Sequence, residues 1–186
     1  MKIGYCVEGS TDRALLNGLK IRWCPDAELV EGRFRGELRP REYSKACLEL
    51  QTKGADVIIL LRDANDENWR AVAKKDLQAC GSSYEHKMVV GVCHRNVECW
   101  LVADAQYAGI RTRRPEADFR VVNPKRVFDE AMQITARDRK EGKISEYVQQ
   151  APLACWLTNK SFEDFYEKLR LQSKRIGCQL ENLRAS

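Results

Sequence analysis

Residues 56–61 read Asp56-Val57-Ile58-Ile59-Leu60-Leu61 and run straight into Arg62-Asp63-Ala64-Asn65-Asp66. A continuous apolar run this short, preceded by Gly54 and ended by a polar loop, is the pattern of a strand covered on both faces. On either side the same unit recurs. Residues 87–93 (KMVVGVC) form a second buried run, and residues 2–7 (KIGYCV) form a looser one that ends at Glu8-Gly9-Ser10. The stretches between them carry helical spacing. Ser10 or Thr11 is placed to cap a helix bearing Ala14, Leu15, Leu16 and Leu19. Residues 41–53 read as a helix stopped by Gly54, and a further helix covers about 69–79 before Gly81-Ser82-Ser83. A weaker strand lies near 28–34, where Gly32 interrupts the pattern. Residues 95–106 read as an amphipathic helix or a strand-to-helix turn, with Val97, Trp100, Leu101 and Ala103 inward. Strands alternating with helices predict an α/β domain: a mostly parallel sheet with helices on both faces.

Beyond Gly109 the character changes. Residues 111–122 are basic and contain Pro115, hence loop-like, and Asn123-Pro124 starts a helix with proline in its first turn. Two more helices are expected near 144–151 and 161–172, the second with Ser161 as cap and Asp164 in the capping-box place. The whole is read as one domain, with a core over about 1–108 and a helical extension over about 109–186. No internal repeat or low-complexity tract is visible.

Hydrophobic residues at 44% and charged residues at 32% exclude a disordered chain. No apolar run approaches the roughly 18–20 residues of a membrane span. The N-terminus enters a strand directly, as expected of a cytoplasmic protein. Eight cysteines (Cys6, Cys24, Cys47, Cys80, Cys93, Cys99, Cys155 and Cys178) are scattered without a CxxC pair, so they are expected to be reduced, small buried hydrophobes. Cys93, His94 and Cys99 form the one local group worth testing for zinc, though their spacing matches no common zinc pattern. The net charge of +5 suits a polyanionic partner without requiring one. Arg33, Arg35, Arg39, Arg41, Arg111 to Arg114, Lys125 and Arg126 place cations in loops and at element ends, where solvated surface is the ordinary explanation.

In an open α/β sheet, chemistry collects at the carboxyl ends of the strands. Acidic residues fall there repeatedly: Glu8 and Asp12 after the first strand, Asp63 and Asp66 after the central one, and Asn96 and Glu98 after the next. Two carboxylates 4 Å apart repel by about 4 kcal/mol at an effective dielectric near 20. A divalent cation between them removes that cost, and Mg²⁺ favours such hard oxygen ligands. The plainer reading makes Asp12 a first-turn acid favoured by the helix dipole and Asp66 a helix cap. Neither a GxxxxGK[ST] loop nor a GxGxxG loop occurs, so nucleotide binding by either familiar route is not expected. His86 and His94 are the only histidines, and neither has a nucleophile partner in view.

The order Val7-Glu8-Gly9-Ser10-Thr11-Asp12, then Leu61-Arg62-Asp63-Ala64-Asn65-Asp66, resembles the Toprim fold of topoisomerases, primases and small nucleases. Its Glu-Gly-x-x-Asp form is most similar to the OLD (overcoming lysogenisation defect) branch. The stretch Arg95 to Asp104, then Asn123-Pro124-Lys125 and Ser161 to Arg170, resembles stand-alone Toprim-like proteins encoded beside an AAA or ABC ATPase. The resemblance implies a nuclease that cuts DNA or RNA with Mg²⁺ or Mn²⁺, working with such an ATPase in antiphage defence, with homo-oligomerisation possible. It casts Glu8 as a metal ligand or general acid/base, Asp63 and Asp12 as metal ligands, Glu98 as an acid for a second metal, and Lys125 as a stabiliser of the pentacovalent phosphate. Asp66 is the remaining candidate ligand. One departure stands out: Asn65 takes the usual place of the second aspartate, and Asp66 comes one residue late. Asn65 offers a carbonyl oxygen but no charge. Two other classes stay open, a Toprim-like binding subunit without catalysis and a small-nucleotide phosphotransfer enzyme. In the former, Trp69 or Trp156 would mark a partner surface, although either is more often a packing residue.

Overall fold

The computed structural model describes residues 1–33, 40–65, 67–103, 123–134 and 140–183. Four strands, β1 (Lys2–Val7), β2 (Glu28–Glu31), β3 (Val57–Asp63) and β4 (Met88–Cys93), pair in parallel in the order β2-β1-β3-β4. Helices α1 (Ser10–Trp23), α2 (Pro40–Thr52) and α3 (Trp69–Cys80) make the crossovers, with a 3₁₀ turn (Ser82–Lys87) leading into β4. After the short α4 (Glu98–Leu101) come α5 (Pro124–Ala131), α6 (Lys140–Gln150), α7 (Leu153–Trp156) and α8 (Lys160–Arg175). The α/β class and the parallel sheet are therefore as the apolar runs predict.

Strand alternation divides the core in two. Ile3, Tyr5, Val57, Ile59, Leu61, Val89 and Cys93 face α1 and the later helices. Cys6, Ile58, Leu60, Met88, Val90 and Val92 face α2 and α3, through Tyr43, Ala46, Leu50, Val72 and Ala73. Both faces are covered, which is why β3 and β4 read as unbroken apolar runs rather than alternating ones. The extension is not an appendage to this core. Trp100, Trp156, Phe162 and Phe165 are fully buried, with ring centroids of Trp100 and Phe165 5.2 Å apart and of Trp156 and Phe162 5.2 Å apart. Trp156 is thus a core residue and not a partner surface, while Trp69 is half-buried beneath the Arg70 guanidinium.

Several local expectations are corrected. The N-cap of α1 is Gly9, not Ser10 or Thr11, and the Asp12 carboxylate reaches back to accept from the Gly9 N–H at 2.8 Å. Asn68 caps α3 by accepting from the amides of Arg70 and Ala71. Asp66, the acid considered for that cap, lies outside the described residues, as does the basic loop 111–122. Asn159, not Ser161, caps α8. Ser161 is buried, accepting from the His94 amide (3.0 Å) and the Trp100 indole (2.7 Å) while donating to Asn159 Oδ1. Asp164 pairs with Lys168. The strand expected near 28–34 stops at Glu31, and the helical reading of 95–106 shrinks to Glu98–Leu101 within the described residues. Cys24 and Cys178 are disulfide-bonded, so the expectation of eight reduced thiols fails at that pair; Cys6, Cys47, Cys80 and Cys93 are buried thiols. Among the described residues no helix is long and apolar enough to cross a membrane.

Helix α6 lies directly on α1 at Gly18. A Cβ built there would sit 2.6 Å from Val148 Cβ and 2.7 Å from the Ser145 carbonyl oxygen. Alanine is worth about 1 kcal/mol more than glycine in a helix interior, but here it meets backbone that can yield only by moving the helix. Gly18→Ala is therefore expected to destabilise the protein by about 1–3 kcal/mol in urea unfolding; unchanged or increased stability would mean that α6 does not seat on α1 as described.

Candidate functional site

Parallel pairing of β3 with β4 sets Asp63 opposite Cys93. Residues in register share a face of the sheet, so both side chains turn toward the α1 side. Asp12, in the first turn of α1, reaches the same place. A carboxylate oxygen of Asp12, one of Asp63 and the Cys93 sulfur all lie within 4.8 Å of one another. Asp12 is 4% exposed and Cys93 fully buried. Neither Asp12 Oδ1 nor Asp63 Oδ1 has a hydrogen-bond partner among the described residues. Buried oxygens left this way cost about 1–3 kcal/mol or more each, and a divalent cation is a group that satisfies both. By that test the residues fit a metal.

The electrostatics point the same way. Burial, then the charges of Glu8 and Glu98, push the Asp63 carboxyl up to about 7, with the Val97 amide and Arg62 pulling against them. Burial and the charge of Asp63 hold Asp12 well above the usual carboxylate range. Burial and the same acids raise the Cys93 thiol. Glu98, in the first turn of α4, is 5% exposed and close enough to act on both aspartates.

Glu8 belongs to the other side of the sheet edge. Its Oε2 accepts from the Asp63 N–H at 3.1 Å, and its Oε1 lies 3.7 Å from Arg62 Nε. Arg62 follows β3 alternation onto the α2/α3 face, where its Nη1 donates to the Tyr43 hydroxyl at 3.1 Å and stands 3.8 Å from Asp76 Oδ2. Burial raises the fully enclosed Asp76 to about 6, against the pull of Arg62. Two carboxylate groups thus meet at one edge, joined through the backbone of Asp63.

Of the residues singled out from sequence, Glu8, Asp12, Asp63 and Glu98 come together. Asp66 lies outside the described residues. Lys125 sits on the exposed side of α5, in a depression of about 450 Å³ shared with Asn123, Arg126, Asp129 and Gln133, and that lining includes none of the four acids. Asn96 accepts from the Cys99 thiol at 3.4 Å rather than facing the aspartates. The group Cys93, His94 and Cys99 is not assembled: His94 is exposed, and Cys93 joins Asp12 and Asp63 instead. Sequence reading missed Arg62, Tyr43, Asp76 and the placement of Cys93 beside Asp12 and Asp63. An arginine at the end of a doubly covered strand was the one visible signal for the first three. No family model, curated protein or solved structure matches the chain.

A titration consequence follows from Asp63. Unfolded, the carboxyl loses its proton near the usual value of about 3.9; folded, it keeps it to about 7. Across that window the native state binds more protons, so metal-free stability falls as pH rises and levels off above the folded value. Asp63→Asn is expected to reduce this slope, leaving the shares of Asp12 and Asp76, and to be about 1–3 kcal/mol more stable than wild type at pH 8 without metal. Thermal unfolding in a chelator from pH 4 to 8 measures it. A variant no more stable than wild type at pH 8 would show that Asp63 is not strained by its surroundings.

Proposed function

We propose that the chain is a Toprim-like, divalent-metal-dependent nuclease that hydrolyses phosphodiester bonds in DNA or RNA. The observation that carries this reading is the convergence of the Asp12 and Asp63 carboxylates, each with one buried oxygen lacking a hydrogen-bond partner, at the carboxyl edge of a parallel sheet. Asp12 and Asp63 would hold Mg²⁺ or Mn²⁺, with Glu98 buried beside them and Glu8 at the rim. The ion supplies Lewis-acid charge for the phosphoryl oxygens. Glu8 is oriented by the Asp63 amide and Arg62 while remaining partly open to solvent, so it is positioned to take a proton from an attacking water or return one to the leaving oxygen. Arg62, anchored by Tyr43 and Asp76, acts as a positioning residue for Glu8. The net charge of +5 suits a polyanionic substrate.

Lys125 has no geometric support as a phosphate ligand, so it has no part in this mechanism. An ATPase partner and a role in antiphage defence rest on the sequence resemblance alone. A second reading, a Toprim-like binding subunit without catalysis, is favoured by one observation. Asn65, in the usual place of a second acid, is exposed and left-handed at φ 52°.

The test is Mn²⁺ calorimetry with cleavage assays on the same samples. Asp63→Asn is expected to lose both binding and cleavage. Glu8→Gln is expected to keep Mn²⁺ binding and lose about 10²–10⁴-fold in cleavage rate. Full activity in Glu8→Gln would defeat the catalytic assignment, and metal and nucleic-acid binding without cleavage by wild type would favour the binding subunit.

A further inference from the structure

The carboxylates do not stand alone at their site. Cys93 closes β4, a strand otherwise built of Met88, Val89, Val90, Gly91 and Val92. A valine at this covered strand end would line the floor beneath two carboxylates with apolar atoms alone. The chain instead places a thiol in register with Asp63 and under Asp12. The Cys93 sulfur is fully buried and takes no hydrogen bond among the described residues. Asp12 Oδ1 and Asp63 Oδ1 are buried without hydrogen-bond partners, and one oxygen of each carboxylate lies within 4.8 Å of the Cys93 sulfur.

We propose that Cys93 is a metal ligand, and that the site formed with Asp12 and Asp63 takes a thiophilic divalent cation of the Zn²⁺ or Co²⁺ class in preference to Mg²⁺. This rests on the reading of Asp12 and Asp63 as a divalent-metal site and replaces the Mg²⁺ or Mn²⁺ named there with a softer class of ion. The geometry suits a single cation. Metal–oxygen bonds of about 2.1 Å and metal–sulfur bonds of about 2.3 Å put two ligand atoms at most about 4.4 Å apart, and the donors already lie within 4.8 Å, so small rotamer changes close the site. Chemistry sets the preference. Mg²⁺ demands hard oxygen ligands in octahedral order, whereas thiolate softness selects for later transition metals and zinc. As the metal–sulfur bond forms, the thiol proton leaves to solvent; the thiolate and two carboxylates then carry three negative charges against two on the cation. Glu98 and Glu8 stand near enough to deepen that negative field. His94 and Cys99, the neighbouring residues of zinc-ligand type, take no part: His94 is exposed and the Cys99 thiol donates to Asn96.

Cobalt(II) titration of the full chain provides the test, because thiolate ligation gives a sulfur-to-cobalt charge-transfer band in the near ultraviolet that oxygen ligation does not. Wild type is expected to show this band at one equivalent and to bind Co²⁺ and Zn²⁺ at least about 100-fold more tightly than Mg²⁺ by calorimetry. Cys93→Ser should lose the band and at least about 10-fold in Zn²⁺ affinity while its Mg²⁺ affinity holds within about 3-fold. Cys93→Ala serves as the second variant, with circular dichroism confirming that each is folded. Co²⁺ bound without the band in wild type, or a band that survives in folded Cys93→Ser, would overturn the sulfur ligand and leave an all-oxygen metal site intact. Failure of wild type to bind any of Mg²⁺, Mn²⁺, Co²⁺ or Zn²⁺ would overturn both this inference and the metal-dependent nuclease.

Discussion

The pairing of β3 with β4, residue for residue from Ile58–Met88 to Asp63–Cys93, decides where every polar group at the sheet edge can go. A slip by one residue would exchange the two faces of a strand, and with them the sides on which Arg62 and Asp63 fall. With the register fixed, alternation does the sorting. Asp63 and Cys93 fall on the α1 face and Arg62 on the α2/α3 face. The edge therefore carries two chemically distinct arrangements back to back: a buried and a half-buried acid with a thiol, and a glutamate steadied by an arginine. The Asp63 backbone serves both, because its amide donates to Glu8 while its side chain faces Asp12.

Burying Asp12 and Asp63 together works against folding. Desolvation and mutual repulsion both favour their neutral forms, and the raised values of both carboxyls are the sign of it. The fold sustains this strain because the surrounding structure over-determines the positions. Asp12 is tied to the Gly9 amide at the start of α1, α1 is held down by α6 at Gly18, and β4 is pressed by Phe165 of α8 at Gly91. The segment leaving β4 is tied to the start of α8 through Ser161, which gathers the His94 amide and the Trp100 indole. The C-terminal helices are thus part of what holds the acidic edge, although they contribute no acid to it.

Apolar periodicity made the strands legible because burial on both faces leaves a signature within one segment. Glu8, Asp12, Asp63 and Glu98 were legible for a related reason: the carboxyl ends of parallel strands share an edge whatever the exact register. What stayed hidden depends on comparisons between segments. Cys93 reads as a small hydrophobe, or as a companion of His94 and Cys99, until β4 is set against β3. The Cys24–Cys178 bond joins residues 154 positions apart, which no local pattern reports. Caps were misplaced where two capping residues compete within a few positions. Gly9 precedes Ser10 and Thr11, and Asn159 precedes Ser161, and in each case the earlier residue takes the cap. Ser161 is then released to a buried role in tertiary structure.

The identity of residue 65 has a backbone cause. Asn65 adopts φ 52° and its amide donates to the Arg95 carbonyl at 2.8 Å, while Arg95 itself stands at φ 69°. The neighbouring Ala64 amide donates to the Cys93 carbonyl at 2.9 Å. Together these bonds extend the β3–β4 pairing past the strand ends and lock the two loops to each other. Left-handed backbone disfavours most side chains but is tolerated by asparagine, so the residue at this position is chosen by the turn and not by a ligand. The same lock keeps Cys93 level with Asp63. In the proposed site, the charge that Asn65 does not supply comes from the thiolate one strand away, and the same exchange of oxygen for sulfur moves the preferred cation from Mg²⁺ toward zinc and cobalt.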